Sequence, residues 1–158
     1  MTTLRYIEDF AAGETFETGS HTPTEEEALA FARAHDPQSF HVDPAEARRH
    51  PIFQGLTLSG FHTIAITHRL IFERDIGHAW GLIGKGLDGL RWRRPVRPGD
   101  TLRVRGCVVA VAHEPGQPAG TLDVEIETLN QRDEAVMTFA VSTLVPSRIV
   151  LARKRNAA

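Results

Sequence analysis

A chain of 158 residues, 24% charged and 41% hydrophobic, has the make-up of an ordinary soluble protein and is long enough to bury a core without disulfides or structural metals. Its net charge of -2 excludes nucleic acid and anionic membrane as partners gathered by bulk charge. The single cysteine, Cys107, excludes an intrachain disulfide and a thiolate metal cluster and suits a reducing cytoplasm. One domain spanning 1–158 is expected, with its core at about 10–146 and 147–158 as a C-terminal tail.

The N-terminal segment carries Glu8 and Asp9 and no apolar run of signal-peptide length, so it encodes no export. A first strand is predicted near Glu14 to Ser20. The segment TPTEEEALAFARAHD then opens with Thr22 or Thr24 as a helix cap, with acids in its first turn and Ala28, Phe31 and Ala32 at helical spacing. Pro37 and Pro44 break the residues that follow into loop or frayed turn, and PAEARRH reads as a short helix with Pro44 at its first position.

From Gly55 to about Glu73 the pattern GLTLSGFHTIAITHRLIFE is apolar on nearly every face, which predicts a central helix wrapped by other structure. It is interrupted by His62, His68 and Arg69 and is too short to span a bilayer. A strand near Leu82 to Trp92 follows. TLRVRGCVVAVA, GTLDVEIETLNQ and EAVMTFAVSTLV complete a run of antiparallel strands, separated by PGD at 98–100, EPGQPAG at 114–120 and RDE at 132–134. The order implies an α+β fold, one long helix against a curved antiparallel sheet. The terminal ARKRNAA reads as a solvated tail with no nucleic-acid role.

Two motifs lack the context that would give them meaning. GKGLDG at 84–89 matches a dinucleotide-binding pattern literally, yet strand-like residues and a proline turn follow it where a helix N-terminus is required. His35, Asp36, His41, Asp43, His50 and His62 supply ligand types for a divalent ion, but the prolines break any helical ligand spacing, and no metal is expected. His35 and His62 read as packing or pocket-lining residues. The more informative pair is Asp36 and His41, five residues apart on a segment that can aim both at one point. A carboxylate and an imidazole converging there can hold a water, one taking a proton while the other gives one.

FARAHDPQSFHVDP, FQGLTLSG and RWRRPVRPGDTL together resemble the MaoC-like acyl-CoA dehydratases and (R)-specific enoyl-CoA hydratases, over roughly residues 10–146. The family pattern has an aspartate, an asparagine-proline pair, a histidine five residues after the aspartate, and an acid two further on. Asp36, His41 and Asp43 match it, while Gln38 and Ser39 stand where asparagine and proline are usual, and Gln54-Gly55 where histidine-glycine is usual.

The resemblance implies a hotdog fold that pairs into a homodimer or higher homo-oligomer. It further implies an acyl-CoA or acyl-carrier thioester as substrate, with reversible syn addition of water to a 2-enoyl-CoA to give a 3-hydroxyacyl-CoA. Asp36 is then the base toward water, His41 positions the water and delivers a proton to the α-carbon, and the Gly55 N–H, at the start of the central helix, takes the thioester oxygen. Gln38, Ser59 and Phe40 are supporting or substrate-contacting residues, with Ser59 hydrogen-bonding Asp36, and Arg93, Arg94 and Arg97 are available to carrier phosphates. No cofactor is expected beyond the coenzyme A carried by the substrate. A hotdog acyl-CoA thioesterase and a non-catalytic acyl-thioester binding module are the alternatives.

Overall fold

A computed structural model of the protein describes residues 4–74 and 81–149. After a 3-10 turn at Ile7–Asp9, strand β1 (Thr15–His21) leads into four helices: α1 (Glu25–His35), α2 (Ser39–Val42), α3 (Pro44–Arg49) and α4 (Gly60–Glu73). Four strands follow, β2 (Ile83–Trp92), β3 (Leu102–Ala112), β4 (Ala119–Leu129) and β5 (Ala135–Pro146). They form one antiparallel sheet in the order β1-β3-β4-β5-β2.

The local reasons are those the chain suggests. Thr24 caps α1, its hydroxyl accepting from Glu27 N while the Glu27 carboxylate accepts from Thr24 N, so two otherwise unpaired donors are satisfied. In β4 the alternation sends Leu122, Val124 and Ile126 to the core, where they meet Leu102, Val104 and Val108 of β3, Val136 and Val145 of β5, and Ile66 and Leu70 of α4. Burying a side chain such as Ile66 or Leu70 contributes about 1.5–3 kcal/mol. Gly106 is required where β1 pairs with β3, since a Cβ there would run into the ring of Phe16 directly opposite.

Four expectations need correcting. The central helix begins at Gly60, not Gly55: Leu58 donates its N–H to the Val96 carbonyl, and Ser59 accepts from Phe61 N as the cap. Residues 55–59 are thus held by non-helical bonds, and Gly55 lies ahead of the helix. Nor is α4 wrapped all round, because Phe61 and Phe72 are 61% and 41% exposed, Phe61 lying edge-on to the exposed Trp92 of β2 and Phe72 lining a hollow with the exposed Leu87. The core reaches further toward the N-terminus than residue 10, with Tyr6 and Ile7 buried. The tail does not begin at 147, since Ser147 is buried, bonds Glu8 and donates its N–H to Pro118 O, while Arg148 pairs with Asp9. Residues 150–158 lie outside the described residues. Among those described, no helix is long and apolar enough to cross a membrane.

Candidate active site

Asp36 caps the C-terminus of α1, donating its N–H to Ala32 O at 2.8 Å. Pro37 then disfavours continuation of the helix. Gln38 O accepts from His41 N at 2.8 Å, closing the single turn α2 that carries Phe40 and His41. Asp43 ends that turn and caps α3, accepting from Ala45 N and Glu46 N. The motif's second acid is therefore a helix cap on the surface, away from the cavity that Asp36 and His41 share.

That cavity has a volume of about 440 Å³, and Asp36, Gln38, Phe40, His41, Thr57 and Thr63 line it together with Phe53, Leu58, Gly60, Phe61, Trp92, Arg93, Arg94 and Val96. His41 Nε2 lies 3.5 Å from Asp36 Oδ2. On the other side of the ring, Nδ1 lies 2.8 Å from the Thr57 carbonyl oxygen and 3.3 Å from the Thr57 hydroxyl. A carbonyl only accepts, so Nδ1 carries the proton, and Nε2 is the nitrogen left to exchange protons with whatever occupies the cavity.

Asp36 is held with equal care. Ser59 donates its hydroxyl to Oδ2 at 2.7 Å, and the Gln38 amide donates to Oδ1 at 2.8 Å. Burial pushes the Asp36 carboxyl up, but the hydrogen bonds from Ser59 and Gln38 and the neighbouring His41 outweigh it, and the group titrates below its ordinary value. The geometry brings together four residues singled out in the sequence, Asp36, Gln38, His41 and Ser59, with Phe40 on the same wall and in ring contact with His41. The longer Gln38 side chain spans to the carboxylate directly.

Gly55 is not on that wall. A Cβ at Gly55 would lie 2.7 Å from Arg97 Nη1, because the Arg97 guanidinium packs against it while donating to the carbonyls of Phe53 and Leu56. Arg97 is thereby a clamp on the loop rather than a group free for phosphate. Gly60 does line the cavity, and a Cβ there would meet the Trp92 indole at 2.5 Å. Gly60, Trp92 and Thr57 carry no site role in the reading of the chain, and Arg97, expected to be available to phosphates, is instead the loop's clamp. The paired glycines of FQGLTLSG were the available signal for the first.

His62 stacks on Phe31 with ring centroids 4.4 Å apart, and its Nδ1 is buried with no hydrogen-bond partner. Burial lowers its pKa. Among the described residues, no three His, Cys, Asp or Glu side chains gather to hold a metal ion. The GKGLDG glycines lie on the edge strand β2, which runs on to Trp92 without a helix start.

A long helix laid on an antiparallel sheet, with an aspartate and a histidine converging ahead of the helix N-terminus, is a hotdog-fold arrangement. The chain belongs to the MaoC-like family: the model of the MaoC like domain matches residues 9–132. It is similar to the crystal structure of the MaoC-like dehydratase from Rhodospirillum rubrum, at 38% identity and a TM-score of 0.84 over 91% of this chain and 98% of that one. It is also similar to YdeM of Bacillus subtilis (strain 168), 29% identical over 140 residues, 88% of this chain and 97% of that protein. A shorter match to mesaconyl-CoA hydratase of Cereibacter sphaeroides, 37% identical over 68 residues, covers 43% of this chain and 18% of that protein.

Proposed function

We propose that the protein catalyses reversible syn addition of water to a 2-enoyl-CoA, giving a 3-hydroxyacyl-CoA. The observation that carries this reading is the orientation of His41: with Nδ1 tied to Thr57, Nε2 and the Asp36 carboxylate face each other on the wall of a largely apolar cavity. A water held there has an acceptor on one side and, when the imidazole is protonated, a donor on the other.

The steps then balance. Asp36 Oδ2 takes a proton as the water oxygen bonds to the β-carbon, and electrons move onto the thioester oxygen. His41 Nε2–H delivers its proton to the α-carbon, and the proton on Asp36 returns to Nε2 across the 3.5 Å between them. The developing oxyanion needs a backbone N–H with no other partner. Gly55, the donor that the family resemblance implies, lies off the cavity wall, and Gly60, at the first position of α4 and on that wall, is the glycine placed to take the role. Water and these side chains supply the chemistry, with coenzyme A entering as part of the substrate.

Incubation with crotonyl-CoA tests this: loss of the conjugated thioester absorbance without release of free thiol is the expected result. Thiol release would make the protein a thioesterase, and binding with neither change would make it a binding module.

The exposed apolar side chains also favour a homodimer. Among the described residues β2 pairs only with β5, so its outer edge is open, and Leu87 and Trp92 stand exposed beside Phe72 and Phe61. A second copy pairing β2 to β2 would cover both the open edge and these side chains. Leu87→Asp is expected to shift the species seen by analytical ultracentrifugation from dimer to monomer, whereas a wild-type monomer would sink this arrangement.

A further inference from the structure

The segment RWRRPVR carries four arginines in seven residues, Arg91, Arg93, Arg94 and Arg97, in a chain whose net charge is -2. Their surroundings separate them. Arg97 is committed to the carbonyls of Phe53 and Leu56, and Arg91 donates to Leu90 O. Arg94 lies 3.6 Å from Glu134, which shares its charge. Arg93 differs from all three. Its backbone N–H is bonded to Val136 O at 2.7 Å, which fixes the residue at the end of β2. Its Nε donates to the uncharged Thr138 hydroxyl, and among the described residues no carboxylate forms an ion pair with it.

Arg93 is exposed and lines the same cavity as Asp36 and His41. An unneutralised guanidinium at the rim of a largely apolar cavity lowers the free energy of an anion that enters with the substrate. We propose that Arg93 binds a phosphate on the pantetheine arm of the acyl thioester, so that the cavity recognises the carrier as well as the acyl group. This rests on the acyl-thioester reading above. The recognised chemistry is a phosphate ester attached to pantetheine, present in coenzyme A and in free phosphopantetheine alike. Arg94, with its charge shared, adds a weaker second contact.

The test uses the full chain and saturated thioesters, which cannot be hydrated: butyryl-CoA, butyryl-phosphopantetheine and butyryl-pantetheine, with dissociation constants from titration calorimetry. Wild type is expected to bind butyryl-phosphopantetheine about tenfold more tightly than butyryl-pantetheine, the effect of one exposed charge-assisted contact. Arg93→Gln should bind the two alike, Arg93→Lys should recover part of the difference, and Arg105→Gln, at a position outside the cavity, should keep all of it.

If butyryl-CoA binds more tightly still and loses that increment in Arg93→Gln, the nucleotide phosphates share the same guanidinium. If it binds like butyryl-phosphopantetheine, the arm phosphate alone is recognised. Equal binding of the phosphorylated and unphosphorylated arms by wild type, or a ratio that survives Arg93→Gln, overturns the proposal. Absence of binding by all three thioesters overturns both this proposal and the function it rests on. Arg93-dependent binding in a protein that leaves crotonyl-CoA unchanged would sink the hydratase reading alone.

Discussion

The β3–β4–β5 meander and the segment from Asp36 to Ser59 are built in opposite ways. In the meander, ladder hydrogen bonds join neighbours in sequence, and every second side chain of β4 enters the core. In the segment the deciding bonds are isolated and bridge residues far apart: His41 to Thr57, Ser59 to Asp36, Leu58 to Val96, Arg97 to Phe53 and Leu56. The first region derives its stability from apolar area, and the second derives its geometry from a few polar contacts. Stability and chemistry should therefore be separable by mutation.

The largest effect is expected inside the segment. Asp36→Asn and His41→Ala each remove a group assigned to proton transfer in the proposed reaction, and each should lower the rate of crotonyl-CoA hydration by roughly 100- to 10,000-fold while leaving the thermal unfolding midpoint close to wild type. Full activity in both variants would overturn the site. In the meander the reverse is expected: Ile126→Ala, at a fully buried position, should cost about 2–5 kcal/mol in denaturant unfolding, with the folded fraction keeping its turnover.

Ser59→Ala sharpens the contrast because Ser59 belongs to both regimes, capping α4 and bonding Asp36. Loss of the cap should cost about 0.5–2 kcal/mol. Loss of the donor should move the acid limb of the pH–rate profile upward, since that hydrogen bond favours the ionised carboxylate and helps hold Asp36 below its ordinary pKa. An unmoved acid limb would mean that Ser59 does not govern Asp36.

The smallest effect concerns His62, next to the cap and stacked between α4 and α1. Burial lowers its pKa in the folded state beneath the ordinary 6.5, so the unfolded chain binds a proton at a pH where the folded one does not. Its contribution to stability is complete above that ordinary value and declines as the pH falls below it. His62→Phe should flatten the decline between neutral pH and pH 5, measured by urea unfolding; an unchanged slope would remove His62 as its source.

Most of the architecture was legible because it depends on local periodicity. The capping box at Thr24, Pro44 at the first position of α3 and the alternation of Leu122, Val124 and Ile126 each place an element with little help from elsewhere. The start of α4 is hidden because Leu56 and Leu58 run without a break in polarity into the apolar helix, yet Leu58 is bonded to Val96, nearly forty positions away, and Ser59 supplies the cap. The edge position of β2 was equally hidden. It follows β1 in the chain but pairs with β5, and nothing in its own residues names that partner.

The candidate site divides along the same line. The spacing of Asp36 and His41 made them a pair, and Gln38 and Ser59 were within reach of the reading. The chain by itself determined the class of fold and most of its strands and helices, because these follow from nearest-neighbour patterns of polarity and backbone preference, and its motif spacing singled out the candidate pair Asp36 and His41. Only the tertiary structure decided which imidazole nitrogen is free, which arginine is unneutralised and which glycine meets the cavity. Each of those depends on a partner distant in sequence, Thr57 for His41, Glu134 for Arg94 and Trp92 for Gly60, and short-range patterns carry no information about such contacts.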